Sequence, residues 1–406
     1  MSYISNSIKK ISVYFLPLSA FFLLISSAAT NIFIILSLLA AIFYFLKNKD
    51  YKEVLNKNIF KFCFLIYLLF LFSSFYSIGN TEDIISMLKK YIKLIYIPFL
   101  FYLIKIQKNQ NIIIKFFISG ASVILILSYF KYYDIVNFNY FYDFLRNINI
   151  ANTQEKIINT KTSIFQNYII QGIVLSFYSF LCVYIANKNK KYLYYLLSAL
   201  SFFNVLFLND SRTAYIIIVI LTIFSFLKII DNNKIRLIFF LFIISMLSTQ
   251  MTTNLENRVN ILSNDAQLIK NNKYNSSLGL RFIWTKIGIE NITINPVFGF
   301  GVGAYKKTSI DYIEKHHLKY YDYYVTDNPH NEFISISTQL GLIGIIFFVG
   351  FLYSLILESV GILSKGVIIV VVLSSVFNSA FHDNMLGLFL VLIISLFYQN
   401  KFNLKI

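Results

Sequence analysis

The chain has 406 residues, of which 57% are hydrophobic and 14% charged, and a mean hydropathy of +0.65. That is far more apolar surface than a soluble core of this length can hide. The formal net charge of +17 is a topological signal, since cationic patches that bind duplexes need a water-exposed face and these lysines flank apolar runs. A soluble domain and a nucleic-acid partner are excluded, which leaves an integral membrane protein in contact with membrane lipids.

Spans of about 20 apolar residues cross roughly 30 Å of hydrocarbon. They are predicted near 11–27, 29–46, 59–78, 84–104, 112–130, 167–186, 192–208, 213–230, 235–250, 333–357, 362–380 and 385–399. A transmembrane barrel would alternate in segments of roughly ten residues, and these runs are continuous. The expected fold is all-α: a polytopic bundle of about twelve transmembrane helices. Residues 1–250 carry spans one to nine, 251–332 form an outer cap of helices and loops, and 333–406 carry the last three spans. The first span has a basic preface and a small-residue end, Ser26-Ser27-Ala28-Ala29, as a cleaved signal peptide would. A second apolar run follows at once and favours a retained hairpin. Cys63 and Cys182 fall within spans, where packing is the ordinary role.

Charge placement orients the bundle. Lys9, Lys10, Lys47, Lys49, Lys52, Lys57, Lys61, Lys105, Lys108, Lys188, Lys190, Lys191, Lys228, Lys234, Arg236, Lys365, Lys401 and Lys405 crowd the termini and the loops after even-numbered spans. Those ends are expected to be cytoplasmic by the positive-inside rule. The opposite short loops hold Glu82, Asp83, Asp210, Asp383 and one cation, Arg212.

Along the chain, the charges that topology does not explain come next. Lys89, Lys90 and Lys93 lie inside span four and fall on one helical face. Buried in lipid they would cost roughly 2.5–3.5 kcal/mol each, so they line a hydrated groove or meet an anion, unless span four begins only after Lys93. Arg212 follows span seven in Asp210-Ser211-Arg212-Thr213. Arginines are few beside the lysines, which suggests sites needing a planar, two-pronged donor for phosphate; the alternative for Arg212 is snorkelling to the interface.

Two segments leave the membrane on the outer side, near 131–166 and 251–332. In the second, Leu280-Arg281-Phe282-Ile283-Trp284 opens an amphipathic stretch suited to a membrane surface. Trp284 reads as an interfacial anchor more readily than as a sugar-stacking platform. The glycines of Asn295-Pro296-Val297-Phe298-Gly299-Phe300-Gly301-Val302-Gly303 lack the spacing and βαβ setting of a dinucleotide site, and read as a tight turn. His330-Asn331 closes the segment at the edge of span ten, followed after nine residues by Gly341-Leu342-Ile343-Gly344.

This set resembles the signature of O-antigen ligases and their O-antigen polymerase relatives. The matching parts are Ser211-Arg212, then Arg281 and Trp284 with Pro296, Gly299 and Gly301, then the histidine pattern, in that order over roughly 200–350. The amino-terminal half agrees in hydropathy alone. The resemblance implies a GT-C-like glycosyltransferase that takes an undecaprenyl-diphosphate-linked glycan as donor. Of the two reactions, ligation to lipid A-core is favoured over polymerisation, because the spacing matches the ligase form without a gap. The setting implied is the bacterial inner membrane, with the site periplasmic.

The chemistry then expected needs few parts. An acceptor hydroxyl attacks the anomeric carbon, and the departing diphosphate demands charge stabilisation from Arg212, Arg281 and the lysines at 89, 90 and 93. His330, with an intrinsic pKa near 6.5, can take the acceptor's proton as general base; without the surrounding pattern, capping or packing would be its ordinary role. Asn331 and Asp383 are read as supporting residues, and His382-Asp383 as a candidate pair for orienting His330. His316 and His317 read as surface residues. Asp327, Glu332 and Asp383 lack a paired-carboxylate or carboxylate-histidine motif, so neither metal nor cofactor is expected. Lys306, Lys307, Lys315 and Lys319 could steer a phosphorylated acceptor or simply solvate a loop. A lipid-linked oligosaccharide flippase shares the composition, but transporters gather their sites near the midplane, whereas these candidates gather in the outer half.

Overall fold

The computed structural model describes residues 11–47, 54, 56–138, 160, 162–230, 263–271, 274–318 and 324–398. Among them helices are the only regular secondary structure. The chain runs through α1 (Phe15–Phe22), α2 (Ser27–Lys47), α3 (Asn58–Ser73), α4 (Thr81–Tyr91), α5 (Lys93–Gln107), α6 (Gln110–Tyr132) and α7 (Tyr168–Asn189). It continues through α8 (Tyr192–Phe203, extended by a π-turn over Asn204–Leu208), α9 (Arg212–Lys228), α10 (Ser277–Ile294) and α11 (Tyr305–Lys315), and ends with α12 (Glu332–Leu357), α13 (Ile362–Phe377) and α14 (Asn384–Phe397).

Four of these, α2, α6, α7 and α12, are long and apolar enough to cross a membrane, and α3, α8 with its π-turn, α13 and α14 are shorter apolar helices. Against the expected twelve spans, four helices have full crossing length by this measure; the span expected at 235–250 lies outside the described residues. The centre belongs to α7 and α14. Almost every side chain of α14, from Met385 to Phe397, is buried, as is α7 along Ile170–Val183. Around them α9 and α13 pack on α7, α5 packs on α14, and α12 packs on α3 and α13.

Span four departs from expectation. Instead of one helix over 84–104, α4 ends at Tyr91 and α5 starts at Lys93. The sequence explains the break: α4 is polar, with Asn80 capping it through a 2.7 Å bond from the Asp83 amide. Glu82 and Asp83 occupy its first turn and Lys89 and Lys90 its last, each sign at the dipole end that favours it. The apolar run proper opens at Lys93.

Span ten is broken as well, at Gly341, whose φ of 63° and ψ of −156° are non-helical. The interrupted backbone is satisfied by the glycine-rich segment before α11. Amides of Phe300 and Gly301 donate to the carbonyls of Thr338 and Gln339 at 2.8 and 2.9 Å, and the Leu342 amide donates to Pro296 at 2.8 Å. Irregular backbone is tolerated at such depth only when protein covers it. The glycines turn the chain, the Gly299 amide donating to Asn295 and the Ala304 amide to Gly301, and also strap the break: a Cβ on Gly341 would lie 2.3 Å from the Val297 carbonyl oxygen, and one on Gly299 2.6 Å from the Gln339 backbone.

A second, smaller core stands beside α12. Tyr274, Ile283, Ile287, Tyr305, Ile313 and Tyr324 are buried together, with Trp284 and Ile334 against them. At the far end of α12 the Glu358 carboxylate caps α3, accepting from the amides of Asn58 and Ile59 at 2.7 and 3.3 Å.

Candidate functional site

Helix ends converge where α12 begins. Asn331 is its N-cap: Oδ1 accepts from the Ile334 amide at 3.1 Å, and Nδ2 donates to the Val376 carbonyl at the end of α13 at 2.9 Å. Two residues past that carbonyl, Asn378 donates to the Thr213 hydroxyl at 3.2 Å, joining α13 to the start of α9 beside Arg212. One turn therefore links the entrances of α9 and α12.

His330 has a left-handed backbone, φ 53°, a conformation uncommon for a side chain of its size. It is held there locally: its amide donates to Asn328 Oδ1 at 2.9 Å, and Asn328 is itself tied to Thr326. The imidazole lies against the Trp284 ring, centroids 5.2 Å apart. Trp284 is fixed in turn, its Nε1–H donating to the Tyr324 carbonyl at 2.9 Å and its carbonyl accepting from the Tyr305 hydroxyl at 2.7 Å. Trp284 thus lies directly beside His330.

Arg281 sits three residues before Trp284 on α10, a spacing that shares a helical face. It is partly buried, and that burial lowers its guanidinium pKa; Tyr168 opposes the shift and the positive charge of Arg212 adds to it. The two arginines thus feel one another across separate helices. Arg212 opens α9, exposed, behind a Ser211 cap whose hydroxyl accepts from the Ala214 amide at 3.2 Å. Among the described residues no carboxylate pairs with either guanidinium.

The lysines of span four divide. Lys89 is exposed on α4. Lys90 Nζ donates to Asp327 Oδ2 at 2.7 Å and meets His382 Nε2 at 2.8 Å, while His382 and Asp327 are 3.5 Å apart. Lys93 is buried, and its ammonium donates to the Asp383 carbonyl; Asp383 Oδ1 caps α14 through the Leu386 amide. Contacts with His382 and Lys90 hold the Asp327 carboxyl well below the usual carboxylate range. Burial is the leading cause that lowers the pKa of His382. At 2.7 Å Lys90 is the direct cationic partner of Asp327, and the donor and acceptor roles between Lys90 and His382 Nε2 follow the imidazole tautomer.

Beside this triad lies a second carboxylate that the sequence reading passed over. Glu332 is fully buried; Oε1 accepts from the Tyr91 hydroxyl at 2.6 Å and Oε2 from the Phe381 amide at 2.9 Å. In the sequence Asp327 and Glu332 are single carboxylates without a metal motif. The available signal was their placement: acids on both shoulders of His330 in a chain whose membrane edges are cationic. Farther out, Lys307 pairs with Asp311 at 2.8 Å, and Lys315 and His316 share Glu290 at 2.6 and 3.1 Å. Lys319 lies outside the described residues.

A search of curated proteins finds no match. Residues 196–349 match the family model described as O-Antigen ligase, a segment that holds Arg212, Arg281, Trp284 and His330 and ends beyond the Gly341 break. Over this segment the chain is similar to the O-antigen ligase family, a likeness that points to glycan transfer of the ligase or polymerase type.

Proposed function

We propose that the protein is an O-antigen ligase, moving a finished glycan from undecaprenyl diphosphate to lipid A-core at the periplasmic face of the bacterial inner membrane. One observation carries the reading: Arg281, partly buried, stands near Arg212 without a carboxylate partner among the described residues, on the helical face of the tryptophan that touches His330. A partly desolvated guanidinium beside a second cation is disfavoured. A diphosphate resolves that conflict, and guanidinium groups match its oxygens two at a time.

The acceptor hydroxyl attacks the anomeric carbon, the bond to diphosphate breaks, and His330 takes the hydroxyl proton as general base. The leaving diphosphate is weakly basic and needs charge stabilisation more than a proton, a role assigned to Arg212 and Arg281 with no metal ion. Lys89, exposed on α4, is assigned a share in that field. Lys90 and Lys93 already hold protein partners, so their support for the donor is indirect.

Deleting the gene and examining surface lipopolysaccharide tests the reaction. A ligase deletion leaves core without attached repeats and accumulates lipid-linked polymer. Core bearing a single repeat would identify a polymerase, and unchanged lipopolysaccharide would point to another acceptor or to a transporter.

A further inference from the structure

The turn that carries His330 is gripped twice by the same two segments. On its amino-terminal shoulder Asp327 meets Lys90 and His382; on its carboxy-terminal shoulder Glu332 meets Tyr91 and the Phe381 amide. Consecutive residues of α4 thus face consecutive residues of the α13–α14 connection, with the two acids between them. The break after Tyr91 and the Lys93 bond to Asp383 fix those segments to one another, and Tyr91 is held from behind by Phe70, stacked at 4.1 Å between centroids.

We propose that Asp327 and Glu332 are positioning residues: clamped between Lys90–Tyr91 and Phe381–His382, they hold the turn that presents His330 to the acceptor. The physical need is specific. A left-handed backbone at a residue other than glycine persists only when its surroundings over-determine it, and the Asn328 and Asn331 side chains act within the turn or at its exit. Asn331 also ties the exit to the end of α13, and the acids add the anchorage to α4 and to the α13–α14 connection. The Tyr91 hydroxyl also meets the Ser335 hydroxyl at 3.2 Å, so removing it loosens the carboxy-terminal shoulder at two points, while removing the Asp327 carboxylate cuts both contacts of the amino-terminal one. That the presented group is the general base rests on the function proposed above; the grip on the turn does not.

Trp284 is the sole tryptophan and touches the His330 ring, so its fluorescence reports the turn without any substrate. In the purified full chain, the emission of Asp327→Asn and of Tyr91→Phe is expected to move from the wild-type value toward that of His330→Ala. Lys90→Arg should keep the wild-type value, and so should Arg212→Lys, which lies off the clamp. In transfer assays with an undecaprenyl-diphosphate-linked glycan and lipid A-core, both clamp variants should lose about 10- to 100-fold in kcat, as misplacement of roughly an ångström does, with donor KM nearly unchanged. Tyr91→Phe is isosteric and covers the case in which a variant of the buried Glu332 fails to fold. Wild-type emission and kcat in both clamp variants would overturn the proposal. A raised donor KM with kcat intact would also overturn it, by making Lys90 and Asp327 a donor-binding element. Normal transfer by His330→Ala would instead defeat the catalytic reading, and the emission would still decide the clamp.

Discussion

At the scale of single residues, the decisive fact is a cation with no anionic partner among the described residues. Arg281 is partly out of water and close enough to Arg212 to feel its charge, and a compact ammonium cannot reproduce the paired hydrogen bonds a guanidinium offers to phosphate. Arg212→Lys and Arg281→Lys should therefore each weaken binding of undecaprenyl diphosphate by roughly 10-fold or more although charge is conserved, the range of a lost charge-assisted bond. Unchanged affinity in both would remove the diphosphate clamp. The acid triad makes a pH prediction of definite sign. His382 has its pKa lowered by burial, with the charges of Lys90 and Lys93 acting in the same direction and Asp327 opposing. The unfolded chain thus binds its proton first, near pH 6.5, and His382 costs stability as pH falls from there toward its folded value. Asp327, depressed by His382 and Lys90, acts in a lower window: its stabilisation is complete above the unfolded value of about 4 and is lost only as pH falls through the folded one. Thermal inactivation between about pH 7 and 5 should soften in the wild type and flatten in His382→Gln; parallel curves would contradict this. Arg212, Arg281 and His330 were legible in the sequence because each breaks an expectation of composition or topology. Asp327 and Glu332 were not, because their meaning depends on Lys90 and Tyr91, more than 200 residues away in the chain.

At the scale of elements, the two broken spans carry the site. Hydropathy alone merges α4 with α5 and runs α12 straight through Gly341, since a break leaves composition unchanged. In the first case the capping Asn80 and the charged ends of α4 were readable signals. In the second, the glycine pair of the histidine pattern is legible, but its physical cause is a strap that arrives from 46 residues earlier in the chain, the Pro296 carbonyl accepting from the Leu342 amide. Gly341→Ala would place a methyl group 2.3 Å from the Val297 carbonyl oxygen at a positive φ. A loss of about 1–3 kcal/mol or more is expected from the backbone alone, seen as a lower inactivation temperature and release of the strap to protease. Gly387→Ala is a gentler case, because its new Cβ would lie 2.7 Å from the Lys93 ammonium, the mobile end of a long side chain. The protein should fold, with Lys93 displaced from the Asp383 carbonyl; a larger loss of stability than in Gly341→Ala would refute this ranking.

At the scale of the whole molecule, composition announced a membrane bundle, and the apolar helices around α7 and α14 agree with that class. The number of crossings was less legible, because α3, α13 and α14 are shorter than a full span and a short helix buried among others looks in sequence like a crossing one. The proposed orientation puts the Lys57–Glu358 end in the cytoplasm and the entrance of α12 outside. Residues on the small core that holds Trp284, such as a cysteine introduced at exposed Lys286, should react with an impermeant maleimide in intact spheroplasts. Reaction only after the inner membrane is breached would reverse the topology.

The central claim is that His330 removes the acceptor's proton while Arg212 and Arg281 hold the donor, and transfer by purified His330→Ala tests it most directly. The expected result is a rate lower by about 10²–10⁴, the usual cost of losing a general base, with undecaprenyl diphosphate binding retained. Near-normal transfer by that variant would contradict the account.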